Sequence, residues 1–500
     1  MRRRSILGAP APASYVGTLR VVGAGESGPA NSHHSTVHGI ITFGTWQRVQ
    51  REEGVEGRGG PKIAFVGGGS YQWGPKIILD VALNERLRGG TLVLHDISAE
   101  ALDDMFDWGR KAIERATADL KLEKTLVLEE ALRGADFVVL SISTGGLDAT
   151  ALDLEIPARY GVVQTVGDTV GPGGLFRGLR NIPVVVEIAR AMERFCPVAV
   201  LLNLTNPLTI LTRAVTMATS IRAIGLCHEL FSTLGMLSQM FEAPEEAINV
   251  RVAGINHFIW VTEVSVHGRD VTGEAFRRIA GGEAREISLS DTDGNTDPFV
   301  NTWGIRTELC TLYGYLPAAG DRHVCEFLPG YLQDEKERER LDLRVTTVDV
   351  RRDRLAQDRE MVRRMIRDDE PIPTRRSREE VSDIIAAMWT GEDSVNIVNL
   401  PNAGQIRDLP FGAVVETYGA LNGAGASGIV FGELPPPVAA LVHSHVFNQE
   451  AIVLAGLTEE TDLAFRAFLN DPLVGNRADA RDMFDEMLEA QRGYLPHVAS

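Results

Sequence analysis

The chain has 500 residues, 44% of them hydrophobic, which is enough for a large core in two joined lobes. Its formal net charge of -18 argues against general binding to nucleic acid or anionic membrane, since both need a basic face. Four cysteines without CxxC spacing, and no apolar run long enough to span a bilayer, exclude a disulfide framework and a transmembrane helix and predict a reducing, cytoplasmic setting.

Residues 1–60 are rich in Gly, Ser, His and Arg without sustained periodicity and are predicted to be a disordered extension. The start MRRRSILGAPAPA has the arginines and small residues of an export signal, but its apolar core is too short for one. From Pro61 onward strands and helices alternate. KIAFVG (62–67) reads as a fully apolar strand, with Pro75 opening the helix PKIILDVALNERL. TLVLHD (91–96), a helix from Asp103, ADFVVLSIS (135–143), a helix around NIPVVVEIARAMERF, VAVLLNLTNP (198–207), the helix LTILTRAVTMA and the strand IRAIGLCHE (221–229) follow. This alternation predicts an α/β fold: over residues 61–250, a Rossmann-like doubly wound parallel sheet with ligands at its carboxyl edge. After about residue 250, RVAGINHFIWVTEVSVHG alternates as antiparallel strands, residues 340–390 are charged and helical, and the tail returns to a strand and a long helix. The prediction there is an α+β second lobe over 251–500, in an overall lactate/malate dehydrogenase-like arrangement.

The turn GGGSYQ begins where backbone must approach a pyrophosphate at a helix N-terminus. Gly67 and Gly69 fill the first two glycine roles, whereas Gln72 stands in the third. Asp96 ends the next strand, where a carboxylate would accept from ribose hydroxyls and repel a 2′-phosphate, favouring NAD over NADP. The alternative is a flavodoxin-like turn with Asp96 as a helix cap.

Other strand ends carry polar chemistry. NLTNP (203–207) offers Asn203 and Asn206; GLCHE (225–229) offers Cys227 and His228; GINHF (254–258) offers His257. A thiolate and an imidazole that converge can hold a divalent metal, although a lone cysteine is more often a small buried hydrophobe. In LYGYLPAAGDRHVCEF (312–327), Tyr315, Asp321 and His323 are each candidates for base, acid or ligand, against a plain turn with an internal Asp–Arg pair. GDTVGPGG (167–174), ahead of Arg177 and Arg180, reads as a flexible cover over a site or an ordinary connection.

Taken in order, KIAFVGGGSY, the STGG strand end, IPARYGV with GDTVGPGG, NLTNP, GLCHE, GINHF, PAAGDRH and GELPPPVAAL resemble glycoside hydrolase family 4 from about residue 62 to 495. The resemblance implies NAD-dependent cleavage of a glycoside: oxidation at sugar carbon 3, removal of the carbon 2 proton, elimination, water addition and re-reduction, with a divalent metal stabilising the intermediate charge. It implies NAD at Gly67, Gly69, Ser70 and Asp96, and a metal pair, Cys227 and His257, holding Mn2+. It places Asn206 at the sugar hydroxyls and makes Asp321 the base, or Tyr315 where a tyrosine serves instead. His228, after the metal cysteine, resembles the branch acting on α-galacturonides and α-galactosides, and Arg177 or Arg322 can meet a uronate carboxylate. The expectation is an α-galacturonidase, a homodimer or homotetramer acting on a small glycoside. An α-galactosidase or α-glucosidase comes next and, outside the family, an NAD-dependent 2-hydroxy acid dehydrogenase whose strand-end Asn–Pro resembles NLTNP.

Overall fold

A computed structural model of the chain describes residues 59–292 and 299–495. The extension predicted over residues 1–60 lies outside the described residues but for its last two. Strands β1 (Lys62–Val66), β2 (Gly90–His95), β3 (Leu120–Thr125), β4 (Phe137–Leu140), β5 (Val200–Asn203) and β6 (Arg222–Gly225) are parallel and lie in the order β3-β2-β1-β4-β5-β6. That is the strand order of a doubly wound dinucleotide fold, as the alternation predicted. The central strands are apolar on both sides because helices cover both faces. Ile63 and Phe65 of β1 point into one buried cluster, and Ala64 and Val66 into the other.

The remaining strands are β7 (Ile248–Ile255), β8 (Phe258–Val266), β9 (Arg269–Asp270), β10 (Leu316–Pro317), β11 (Ser394–Pro401), β12 (Val414–Asn422) and β13 (Gly425–Gly428). They are antiparallel and continue the same sheet. β11 joins β6 at Asn399 and Gly225, and β12, β7, β8 and β10 follow in turn. The lobes predicted on either side of residue 250 therefore share one 13-stranded sheet. The second half also reaches back over the first: on the helix Val348–Ile366, Met365 Sδ accepts from Trp108 Nε1 at 3.2 Å and Arg363 Nε donates to Asp104 at 2.9 Å. No helix among the described residues is long and apolar enough to cross a membrane.

Two local expectations are corrected. GDTVGPGG is not a flexible cover, because Gly171–Gly174 form the buried first turn of the helix Gly171–Phe195, with Pro172 suited to that position. The helix expected from Asp103 starts earlier, at Ala99, where Ser98 Oγ accepts from Ala101 N, and it ends at Ala116. The residues after it, LKLEKT, form edge strand β3, whose alternating charges conceal a strand with only weak burial.

Candidate active site

The glycine turn is fixed on the end of β2, where Gly67 N and Gly68 N both donate to the His95 carbonyl at 2.9 Å. Gly67 has φ +88°, and a β-carbon there would stand 1.8 Å from the Ser141 carbonyl oxygen. The Asp96 carboxylate accepts from Gly69 N on one oxygen and from Ser98 N on the other, both at 2.9 Å. Asp96 thus helps start the helix Ala99–Ala116 and anchors the glycine turn, and each oxygen keeps a lone pair for a ribose hydroxyl. Ser70 Oγ accepts from Trp73 N at 3.1 Å, just before the helix Gly74–Ala82. The close-packing glycine absent at Gln72 is found at Gly74, where a β-carbon would lie 2.5 Å from Met105 Sδ. The cradle of a dinucleotide fingerprint is complete, with its last glycine two residues late.

At the carboxyl edge of the sheet, Asp168, His257 and His323 bring one ligand atom each to within 4.8 Å of one another. Asp168 precedes the helix Gly171–Phe195. His257 sits at φ +63° in the turn between β7 and β8, and His323 lies on the short helix Asp321–Val324 that follows β10. The two imidazoles stack with centroids 3.8 Å apart. Thr169 Oγ1 lies 2.7 Å from His257 Nδ1 and 2.7 Å from Asp168 Oδ1. A hydroxyl has one proton to donate. When it goes to the carboxylate, His257 donates from Nδ1 and its Nε2 lone pair is left for an ion.

Electrostatics favour the same assignment. Burial lowers His257 below the ordinary imidazole range and takes His323 to about 3, so both rings are neutral, the ligating form, near pH 7. Burial opposes the charge on Asp168, but the protonated forms of His323 and His257, together with the Arg177 guanidinium, hold its carboxyl well below the usual range. His323 Nδ1 is buried without a hydrogen-bond partner, which is the kind of orphan that a bound ion satisfies. One carboxylate and two imidazoles suit a divalent ion of Mn2+ or Zn2+ type.

Two residues expected at the substrate stand beside this group. Asn206 Nδ2 donates to Asp168 Oδ2 at 3.2 Å, and Arg177 Nε donates to the Asn206 carbonyl at 3.0 Å. Arg322 donates from Nη1 to Thr346 Oγ1 at 3.1 Å, and its charge lowers both His257 and His323. Glu229, on the first turn of the helix Glu229–Phe241, accepts from Gly320 N at 2.7 Å and lies 3.8 Å from His323 Nε2. Burial works against its charge, yet the protonated forms of His323, His257 and His228, with the Gly320 N–H, hold it at about 2.

Other expected residues are placed differently. Cys227 is outside the three-donor group. Its thiol, bonded to the Asn256 side chain, is pushed well up by burial and by Glu416 and Glu229. The structure thus groups His257 with Asp168 and His323 as candidate ligands, while Cys227, expected to pair with His257, stands outside that group of three. His228 is exposed, 3.7 Å from Glu379, with its ring 6.0 Å from that of Trp73 beside the glycine turn. Asp321 is buried: Oδ1 accepts from Arg306 N and Nε, and Oδ2 from Thr302 Oγ1, all at 3.2 Å. Tyr315 packs on the large core cluster, and among the described residues no hydrogen bond or ion pair joins it to the three donors. Asn203 closes its own strand end, bonding Thr205 and Thr212. Asp168 and Glu229 were not singled out in the sequence; the available signals were an Asp-Thr pair just before a Gly-Pro-Gly-Gly helix start and an acid directly after Cys-His.

The site accords with what the chain resembles among known proteins. Residues 62–243 match the family 4 glycosyl hydrolase, and residues 252–474 match the family 4 glycosyl hydrolase C-terminal domain. An α-galacturonidase of Bacillus subtilis is 39% identical over 440 residues, covering 86% of this chain and 97% of its own. The crystal structure of lplD from Bacillus subtilis superposes with a TM-score of 0.79 at 37% identity, covering 86% of this chain and all 100% of that one. A 6-phospho-α-glucosidase from gut microorganisms, solved in complex with NAD and Mn2+, shares the fold at TM-score 0.76 and 22% identity over 87% of this chain and 99% of its own. With both family regions matched in order across the sheet that builds this site, the chain belongs to the family 4 glycosyl hydrolases.

Proposed function

We propose that the protein is an NAD+- and Mn2+-dependent α-galacturonidase. The observation that carries this reading is the Asp168–His257–His323 group, set at the carboxyl edge of a sheet whose first turn is built for a dinucleotide. The identity with α-galacturonidases supports the choice of sugar. Membership of family 4 sets aside the 2-hydroxy acid dehydrogenase.

When bound, NAD+ supplies a reversible hydride acceptor and the divalent ion a Lewis acid. Gly67, Gly69 and Ser70 form the phosphate turn, and Asp96 presents its remaining lone pairs to the ribose. His257, His323 and Asp168 hold the ion, with Thr169 setting the His257 tautomer. Asn206 and Arg177 orient sugar hydroxyls beside Asp168. Asp321 is our candidate base for the carbon 2 proton: Oδ1 faces the Arg306 guanidinium at 3.2 Å, and among the described residues Oδ2 accepts only from the Thr302 hydroxyl. His228, facing the cofactor turn, belongs with the rim of the site. Residues 61–250 would carry the cofactor and contribute Asp168, Asn206 and Arg177, and 251–500 would contribute His257, His323, Asp321 and the oligomer surface. We further propose a cytoplasmic homodimer or homotetramer, in keeping with four free cysteines.

The test is incubation with NAD+, Mn2+ and a thiol reductant against p-nitrophenyl α-galacturonide, α-galactoside and α-glucoside. Nitrophenol release that needs catalytic NAD+ and metal, without net NADH, is expected for the galacturonide. No release from any of the three sinks the proposal. Cys227→Ser is expected to retain measurable Mn2+ binding, whereas His257→Ala loses it.

A further inference from the structure

We infer that Arg322 and Arg351 together form the subsite for the anionic group of the sugar, with Arg351 a specificity-determining residue for a carboxylate there. This rests on the α-galacturonidase reading.

The two guanidiniums grip one residue. Arg322 Nη1 donates to Thr346 Oγ1 at 3.1 Å, and Arg351 Nε donates to the Thr346 carbonyl at 3.3 Å. Arg351 Nη2 also donates to the Val166 carbonyl at 2.9 Å, so the pair flanks the loop that ends in Asp168. Thr346 N completes the tie by donating to the Thr165 carbonyl at 3.0 Å. Among the described residues, neither arginine has a carboxylate within ion-pair distance. Two fully buried arginines, by contrast, are paired with carboxylates: Arg180 with Asp153 and Arg306 with Asp321. Arg322 Nε is buried with no partner among the described residues, while its guanidinium lies 5.1 Å from the Phe299 ring centroid.

Two guanidiniums sharing one neutral residue repel, and a shielded cation without a partner is costly. The nearby acids do not neutralise the pair. Asp168 accepts from Thr169 and Asn206, and Glu326 takes three donors on Oε1 and, among the described residues, pairs with neither arginine. The free N–H groups of Arg322 and Arg351 therefore suit an incoming anion. A planar carboxylate, bridged by two forks, fits the pair, and a phosphate is the other anion that shares this chemistry. The identity with α-galacturonidases favours the carboxylate.

The experiment compares wild type, Arg351→Gln and Arg351→Lys, loaded with NAD+ and Mn2+. It measures kcat/KM on p-nitrophenyl α-galacturonide, α-galactoside and 6-phospho-α-glucoside, and the Kd of free galacturonate and of galactose. In Arg351→Gln, the galacturonide-to-galactoside ratio of kcat/KM should fall about 10–100-fold, chiefly through KM, and the galacturonate preference in Kd should fall in parallel. Lysine should restore part of it. An unchanged ratio and unchanged galacturonate preference overturn the subsite, as does an equal loss on all three sugars with weaker NAD+ binding. A preference that collapses only for the phosphorylated sugar overturns the carboxylate. Wild type that binds galacturonate selectively without hydrolysing its glycoside sinks the functional proposal and leaves the subsite standing.

Discussion

The Thr169 hydroxyl lies 2.7 Å from His257 Nδ1, and the same oxygen lies 2.7 Å from Asp168 Oδ1. One side chain thereby connects two of the three candidate metal donors, and when its proton goes to Asp168 the His257 Nε2 is left bare. Thr169→Val keeps the shape and removes the hydroxyl, freeing His257 to take the wrong tautomer. Mn2+ affinity is expected to fall about 10–100-fold, as for other partners of metal-bound histidines. Thr169→Ser should recover most of it, and NAD+ affinity should not move. Calorimetric titration with Mn2+ checks this, and a loss below about twofold would show that the tautomer is fixed by something else.

Gly67 offers a sharper test of the cofactor turn. Its φ of +88° disfavours any side chain, and a β-carbon would lie 1.8 Å from the Ser141 backbone oxygen. Gly67→Ala should add about 1–3 kcal/mol of conformational strain, with the clash on top, and should raise the Kd for NAD+ by more than about tenfold. Gly134 has φ +68°, and a β-carbon there would meet nothing within 4 Å, so Gly134→Ala serves as a control that carries strain alone. Thermal unfolding and fluorescence titration of NAD+ separate the two.

The contrast between these residues shows what was legible in the sequence. The parallel half declared itself because its strands are buried on both faces and read as apolar runs, as KIAFV and FVVL do. Gly67, Gly69 and Asp96 followed from where such strands end. His257 was found because it closes a hairpin between two alternating strands. Asp168 was not, because its donor partners lie 89 positions away at His257 and 155 away at His323, and no local pattern records that meeting. Gly74 was missed because its role is set by Met105 on the next helix and not by spacing in the turn. Arg180, which follows the segment GDTVGPGG, is fully buried, a placement that no local pattern predicts because its partner Asp153 sits on a helix without a clear sequence signal.

That pair carries its own prediction. Arg180 and Asp153 have wholly inaccessible side chains, and Arg180 Nη1 donates to Asp153 Oδ1 at 2.8 Å. Arg180 Nε also holds the Thr144 carbonyl at 2.9 Å, and Gln491 bonds both partners. The cluster ties the end of the β4 strand segment to two helices and the C-terminal region. Asp153→Ala leaves a buried guanidinium unpaired and should cost about 3–5 kcal/mol in urea unfolding. The double variant Asp153→Leu with Arg180→Met removes both charges and should cost less. A double variant as unstable as the single one would contradict the assignment of the loss to an unpaired charge.

Glu326 gives a prediction in pH. Its Oε1 accepts from Val166 N at 2.7 Å, Gly167 N at 2.9 Å and Thr165 Oγ1 at 3.1 Å, which holds the loop before Asp168. Its Oε2 is buried without a partner. Burial pushes the carboxyl up to about 7, with the charge of Asp168 adding to it against the bonds from the loop. In the unfolded chain a glutamate titrates near about 4.3, so between these values the folded protein binds the extra proton. The stability from this group is fully present below the unfolded value and is lost as pH rises toward and through 7, at about 1.4 kcal/mol per pH unit. Glu326→Gln keeps an acceptor for the loop and cannot ionise. Relative to wild type, it should gain about 3 kcal/mol between about pH 4.5 and pH 7 and nothing further above it. Urea unfolding across that range measures the difference directly, and a difference that stays flat with pH would mean that Glu326 ionises as an ordinary exposed carboxyl.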